Sequence, residues 1–260
     1  MPPARVAVYL ATAGVLVLTF RAILVGPPPL EWSVLVLLAY AMALLAGVLS
    51  LRWRVFVDAL VRGPRGARGV ALTFDAGPHP KWTLRVLETL AKHDAKATFF
   101  LVGREAALHP EIVKAIAEAG HAVGLRSWAH DPLLGLRRER TVRDDLQRGL
   151  DALERATGAR PTLFRPPRGR TTPILARVVD ALDLTVVAWS VAGGDRSSRA
   201  RVDDVVARVR RGLRDGAIVL LHDSPETGDR EPSAVRALPA ILDAIAAEGL
   251  EVVPLPPWLD

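Results

Sequence analysis

Asp75, Arg126, His130, Arg165, Asp195 and His222 with Asp223 each stand at or just beyond the end of a short apolar run. Carboxylates and imidazoles exchange protons near neutral pH when their surroundings tune them, and a guanidinium is a fixed charge that can do the tuning. Singly, each has an ordinary explanation: Asp75 ahead of Gly77-Pro78 suits a turn, and His222-Asp223 a loop pair. If the fold gathers them, they describe acid–base chemistry. The chain has no Cys, which excludes thiolate nucleophiles, thiolate metal sites and a disulfide framework.

The elements between these residues decide whether they meet. Short apolar runs at 70–74, 97–102, 121–125, 162–165, 185–189, 217–221 and 250–253 alternate with stretches at 84–92, 111–118, 142–156, 173–182, 202–213 and 235–248 whose apolar residues recur at helical spacing. Strand followed by helix, repeated, predicts a parallel α/β sheet with right-handed crossovers. Periodicity alone does not separate an open sheet from a barrel. Polar residues following so many different strands favour a distorted (β/α) barrel of about seven parallel strands, with the site at its carboxyl-terminal mouth.

Six segments, in order, then carry a resemblance. Thr73-Phe74-Asp75-Ala76-Gly77-Pro78 is similar to the Thr-Phe-Asp-Asp-Gly-Pro of the polysaccharide deacetylases, the NodB-homology or family 4 carbohydrate esterases, and Ala97 to Gly103 is similar to their second strand. Arg126-Ser127-Trp128-Ala129-His130 stands where that family has His-Ser/Thr-x-x-His. Phe164-Arg165-Pro166-Pro167-Arg168-Gly169, Trp189-Ser190-Val191 leading to Asp195, and Leu220-Leu221-His222-Asp223 resemble the remaining motifs. The resemblance covers nearly everything from Gly69 onward and implies the NodB-like fold. It also implies metal-assisted removal of an acyl group, acetyl or formyl, from an amino sugar of an envelope glycan or a lipid-linked saccharide. Carried over, Asp75 is the general base, His222 the acid, Arg165 the group that orients Asp75, and Asp195 the partner of His222. Trp189, Leu220 and Pro166 belong to the substrate pocket.

The same resemblance implies a divalent metal, zinc, held by the second Asp of the first motif and by two His. Here those positions are Ala76, Arg126 and His130, so His130 alone retains its ligand type. Catalytic zinc needs three protein ligands and an open position. A rescue by Asp75, His79 and His130 would use up the base. Formal charge suggests another account: Asp, His and a dication sum to +1, as do Ala76 and Arg126 without metal. Arg126 is thus expected in the vacated position, pairing with Asp75 or supporting a substrate oxygen. A fixed cation at a developing oxyanion is worth about 3 kcal/mol, but only a metal brings the pKa of water from about 16 to about 7. Ala192 and Arg196 also stand where the family often has Asp and Trp. Two functions follow, an acyl-amide hydrolase with altered or absent metal use, or a non-catalytic glycan-binding or scaffold module on the same fold.

Half of the chain is hydrophobic, and part of that content lies in two runs ahead of the barrel. Residues 6–25, apolar but for Arg21, and 34–51, without a charge, are each close to the ~20 residues a bilayer requires. Joined by Gly26-Pro27-Pro28-Pro29-Leu30-Glu31-Trp32, they predict a two-helix membrane hairpin over 1–51. Residues 52–68 are expected to form a basic juxtamembrane linker, and 69–260 the barrel. The formal charge of +6 sits mostly here: residues 1–68 carry seven Arg against Glu31 and Asp58, leaving +1 for the rest. A near-neutral domain without nucleic-acid motifs excludes nucleic acid as a partner. The hairpin loop lacks Lys and Arg while five Arg follow the second run, which predicts the barrel on the cytoplasmic side, the extracytoplasmic side being the alternative. The sequence does not fix the oligomeric state.

Overall fold

The computed structural model describes residues 1–196, 200–225 and 228–259. Two long helices come first, α1 (Pro3–Val25) and α2 (Leu30–Leu49), long and apolar enough to cross a membrane and almost wholly exposed along their length. Thr12 and Tyr40 join them through hydroxyls 2.7 Å apart. The segment after α2 is no plain linker. Leu51, Val55, Val57 and Ala59 are buried, and Ala59–Leu60 forms strand β1. Its apolar residues, masked by the arginines around them, cover an edge of the domain.

Then come β2 (Val70–Asp75), α3 (Trp82–Lys92), β3 (Thr98–Val102), α4 (Gly103–Leu108), α5 (Pro110–Glu118), β4 (Ala122–Ser127) and α6 (Glu139–Thr157). They are followed by β5 (Leu163–Phe164), α7 (Pro173–Ala181), β6 (Thr185–Val187), β7 (Val191–Ala192), α8 (Val202–Gly212), β8 (Ala217–His222) and α9 (Ser233–Ala247). The strands form one parallel sheet in the order β1-β6-β5-β4-β3-β2-β8-β7, curled into a half-barrel whose edges are β1 and β7. The described strands number eight rather than about seven. Residues 250–253 add only a bridge from Val252 to Val70, because Pro254 has no amide hydrogen to extend the ladder.

β2 and β3 are buried along their whole length, as central parallel strands must be, and Phe74 stacks on Phe99 at 5.1 Å between ring centroids. α6 shows how the helices cover them: Val142, Leu146, Leu150 and Leu153 recur at helical spacing and are all buried. Gly158, in the left-handed region, ends the helix. In α7, Pro173 follows the cap Thr172, whose Oγ1 accepts the Leu175 amide at 3.2 Å.

Candidate active site

The charged residues expected at the site lie at the carboxyl end of the sheet. Asp75 closes β2 and Arg126 is the penultimate residue of β4, while Arg165 directly follows β5. His222 closes β8, and Asp195 follows β7. Parallel strands deliver their carboxyl ends to one side, which is why residues far apart in sequence meet.

Asp75 and Arg165 are fully buried. One Arg165 Nη donates to Asp75 Oδ1 at 2.8 Å and to Thr73 Oγ1 at 2.8 Å, and its other nitrogens donate to the carbonyls of Val187 (3.2 Å) and Ala188 (3.0 Å). The guanidinium also lies 4.1 Å from the centroid of Phe100. Arg165 is therefore immobile and presents one fixed face to Asp75. On the opposite side, Arg126 Nη1 lies 2.6 Å from Asp75 Oδ2 and donates to the Pro166 carbonyl at 3.3 Å. Its N–H is not aimed at Oδ2, so the contact is an ion pair rather than a directed hydrogen bond. Asp75 Oδ2 and Arg126 Nε are both left without a hydrogen-bond partner. Burial pushes the Asp75 carboxyl up, but Arg126, Arg165 and His222 together hold it below its ordinary 3.8. The Arg126 guanidinium is itself brought down to about 10, by burial first, with Asp75 opposing.

On the other wall, the backbone N–H of His222 donates to Asp195 Oδ2 at 2.7 Å, and His222 Nδ1 lies 3.2 Å from Asp195 Oδ1. Burial lowers the imidazole pKa, and Asp195, with Asp75 behind it, more than reverses this, so that it ends above its ordinary value. With Nδ1 engaged by Asp195, Nε2 is the nitrogen left for a ligand. His130 has the opposite environment: burial first, then Arg126, takes it down to about 4, so it is neutral at pH 7.

A cleft of about 460 Å³ opens here, lined among others by Ala76, His79, Glu105, Arg126, His130, Arg168, Arg196 and His222. Among the described residues, Trp189 and Leu220, expected in the substrate pocket, do not line this cleft. Leu220 is buried within β8, and Trp189 lies beneath Gly169, where any Cβ would strike its ring. Pro166 is also buried and takes part through its carbonyl alone. His79 reaches the cleft, but its Nδ1 accepts from the amides of Lys81 and Trp82, and its Nε2 faces Asp229 at 3.3 Å.

Residues that sequence reasoning left unassigned hold the loops. Asp223 is fully buried, accepts from the Gly77 amide at 3.0 Å and from Thr83 Oγ1 at 2.6 Å, and burial raises it to about 6. A Cβ on Gly77 would run into that carboxylate. Asp145 of α6 accepts from the amides of Trp128 (2.9 Å) and Ala129 (3.2 Å), setting the approach to His130. Asp223 was visible beside His222; Asp145 had no sequence signal beyond a polar residue next to Leu146.

A half-barrel with a carboxylate, a paired imidazole and two buried arginines at its mouth has the parts that acid–base chemistry at a carbonyl requires. The comparisons narrow this. Residues 62–187 match the polysaccharide deacetylase family model. A peptidoglycan-N-acetylglucosamine deacetylase of Bacillus cereus is 33% identical over 194 residues, covering 75% of this chain and 69% of that protein. A chitooligosaccharide deacetylase of Bradyrhizobium sp. is 35% identical over 200 residues, 74% of this chain and 90% of that one. A solved family 4 carbohydrate esterase pseudoenzyme from Bacillus anthracis superposes with a TM-score of 0.70 at 30% identity, over 78% of this chain and 69% of that one. A mutant of the same pseudoenzyme is described as having restored enzymatic activity. The chain belongs to the polysaccharide deacetylase family.

That family usually works with a divalent metal. The residues present do not fit one. Among the described residues no group of three or more His, Cys, Asp or Glu is placed to hold an ion, and Ala76 offers no donor atom. The cations next to Asp75 are the guanidinium groups of Arg126 and Arg165.

Proposed function

We propose that the protein binds an acylated amino-sugar glycan of the cell envelope in this cleft and does not carry out the metal-assisted deacylation of its relatives. The observation that carries this reading is the buried 2.6 Å ion pair between Arg126 and Asp75. A carboxylate held low by two arginines is a weak base, and the nearer guanidinium stands between it and any water that it would activate. No side chain lowers the pKa of water as a metal does. The intact His222–Asp195 pair favours a second reading, slow hydrolysis of an acetyl or formyl group. In that reading Arg126 supports the oxyanion and His222 protonates the departing amine.

Zinc content, chitotetraose binding and acetate release, measured on the full chain in detergent, separate these. The parent is expected to bind chitotetraose, to carry no stoichiometric zinc and to release no acetate above background. Ala76→Asp with Arg126→His should gain zinc together with His130, and either change alone should not. Tightly held stoichiometric zinc in the parent would overturn the reading, and metal-free acetate release abolished by His222→Gln would establish the second one.

A further inference from the structure

The hairpin is joined to the domain without slack. Only Ser50 separates the end of α2 from Leu51, which is 1% exposed, so the anchor cannot act as a tether, whose reach grows by about 3.5 Å per residue. The carbonyls of Gly47 and Val48 in the last turn of α2 accept from Thr171 Oγ1 (3.4 Å) and the Thr171 amide (3.0 Å). Arg5 of α1 donates to the carbonyls of Arg54 and Val55 and pairs with Asp58 at 3.1 Å. Thr171 lies in the loop leaving β5, at the end of the sheet that carries Asp75 and His222. The membrane helices therefore meet the domain at its mouth.

A second observation lies on the same rim. Leu133 (43% exposed) and Leu136 (64%) stand in the loop after β4, and Trp53 (52%) just after α2. The leucine segment is tied to the docking loop by Arg170 Nη1, which donates to the Pro132 carbonyl at 3.2 Å, and by Thr172 Oγ1, which donates to the Gly135 carbonyl at 2.6 Å. Exposed Arg52, Arg137 and Arg138 flank these apolar side chains. Apolar tips ringed by arginines match the interface of an anionic bilayer. Pro132, at the base of this segment, lines the cleft.

We propose that Leu133, Leu136 and Trp53 dip into the bilayer surface and seat the mouth of the cleft on it, so that the saccharide bound there is one carried on a membrane lipid. This rests on α1 and α2 spanning the membrane and on the cleft being a glycan site. A polymer strand held away from the bilayer does not meet a mouth fixed in that position.

Because the chain has no Cys, single cysteines report the geometry directly. Bimane placed at Leu136→Cys, at Ala129→Cys on the cleft rim, and at Ala159→Cys in the loop entering β5 is compared in full-length protein. The vesicles contain phosphatidylcholine, phosphatidylglycerol and a doxyl-labelled quencher lipid. Quenching is expected to be several-fold stronger at 136 than at 159, and Leu133→Asp with Leu136→Asp should reduce it at 129. Equal quenching at 136 and 159 overturns the seating. The label at 129 is then titrated with polyprenyl-diphosphate-linked N-acetylglucosamine in the same vesicles and, separately, with chitotetraose in water. A response to the lipid-borne sugar at a total concentration at least several-fold lower supports the proposal. A response to chitotetraose alone overturns it while leaving the glycan reading intact, and a response to neither overturns both.

Discussion

Arg126 puts a fixed charge 2.6 Å from the Asp75 carboxylate. Its guanidinium cannot be chelated, diluted or replaced, and its pKa of about 10 keeps it charged across the physiological range. Replacing it with Ala leaves Asp75 buried with Arg165 as its remaining close cation. Breaking a buried pair from one side costs about 3 kcal/mol, which urea unfolding of the full chain at pH 7 should show. The pH dependence has a definite sign. In the parent, the Asp75 carboxyl is held below 3.8, so its contribution is present above that value and lost as the pH falls through the folded pKa. Without Arg126 the folded pKa rises, and the stability gap between parent and variant should narrow below pH about 4. A gap that stays constant from pH 7 to pH 3 would mean that the pair contributes nothing through Asp75. Ala76 (φ 78°) and His130 (φ 55°) both occupy the left-handed region, where Asp and Asn are tolerated better than Ala. The backbone at these two positions suits Ala76→Asp, the substitution that would return a ligand.

At the scale of elements, Asp223 fastens three pieces together, the end of β8, the turn after β2 and the start of α3. Asp223→Ala removes the acceptor for Gly77 and Thr83 at once, and unmade buried bonds cost about 1–3 kcal/mol. Because burial raises Asp223 to about 6, the folded protein holds that proton more tightly than the unfolded chain. Its contribution is therefore largest below pH 3.8 and declines towards pH 6. The loss on substitution, read from denaturation midpoints, should be greater at pH 4 than at pH 7. The long buried strands were legible in the sequence because parallel central strands are continuous apolar runs, as 70–74 and 217–221 are. β1 and β7 were not, since two residues each give no periodicity. The run at 250–253 looked like a strand, but only Val252 bridges to β2. Likewise Asp75, Arg165, Asp195 and His222 could be placed from motif order. Which side of the sheet Trp189 and Leu220 face depends on packing under Gly169 and within β8, and no motif encodes that.

For the whole molecule, we propose that the folded domain starts at Leu51, with residues 52–68 part of it rather than a linker, because Leu51, Val55, Val57 and Ala59 are buried and Ala59–Leu60 forms β1. A fragment beginning at Leu51 keeps β1 and the buried Leu51, Val55 and Val57, whereas one beginning at Gly69 loses them all. At about 1.5–3 kcal/mol for each buried side chain, the shorter fragment should lose much of a typical domain's stability. It is expected to melt early or aggregate, while the longer one unfolds cooperatively. Equal melting temperatures would return residues 52–68 to the role of a linker.

β1 lies beside β6, with Ala59 opposite Val186. A chain made from its amino terminus completes α1 and α2 first, yet the strand next to them finds no partner until residue 187 has left the ribosome. The segment nearest the two amino-terminal helices is thus the last part of the sheet's far edge to be completed. Any delay in synthesis between these points leaves an unpaired apolar strand that a second nascent copy could capture.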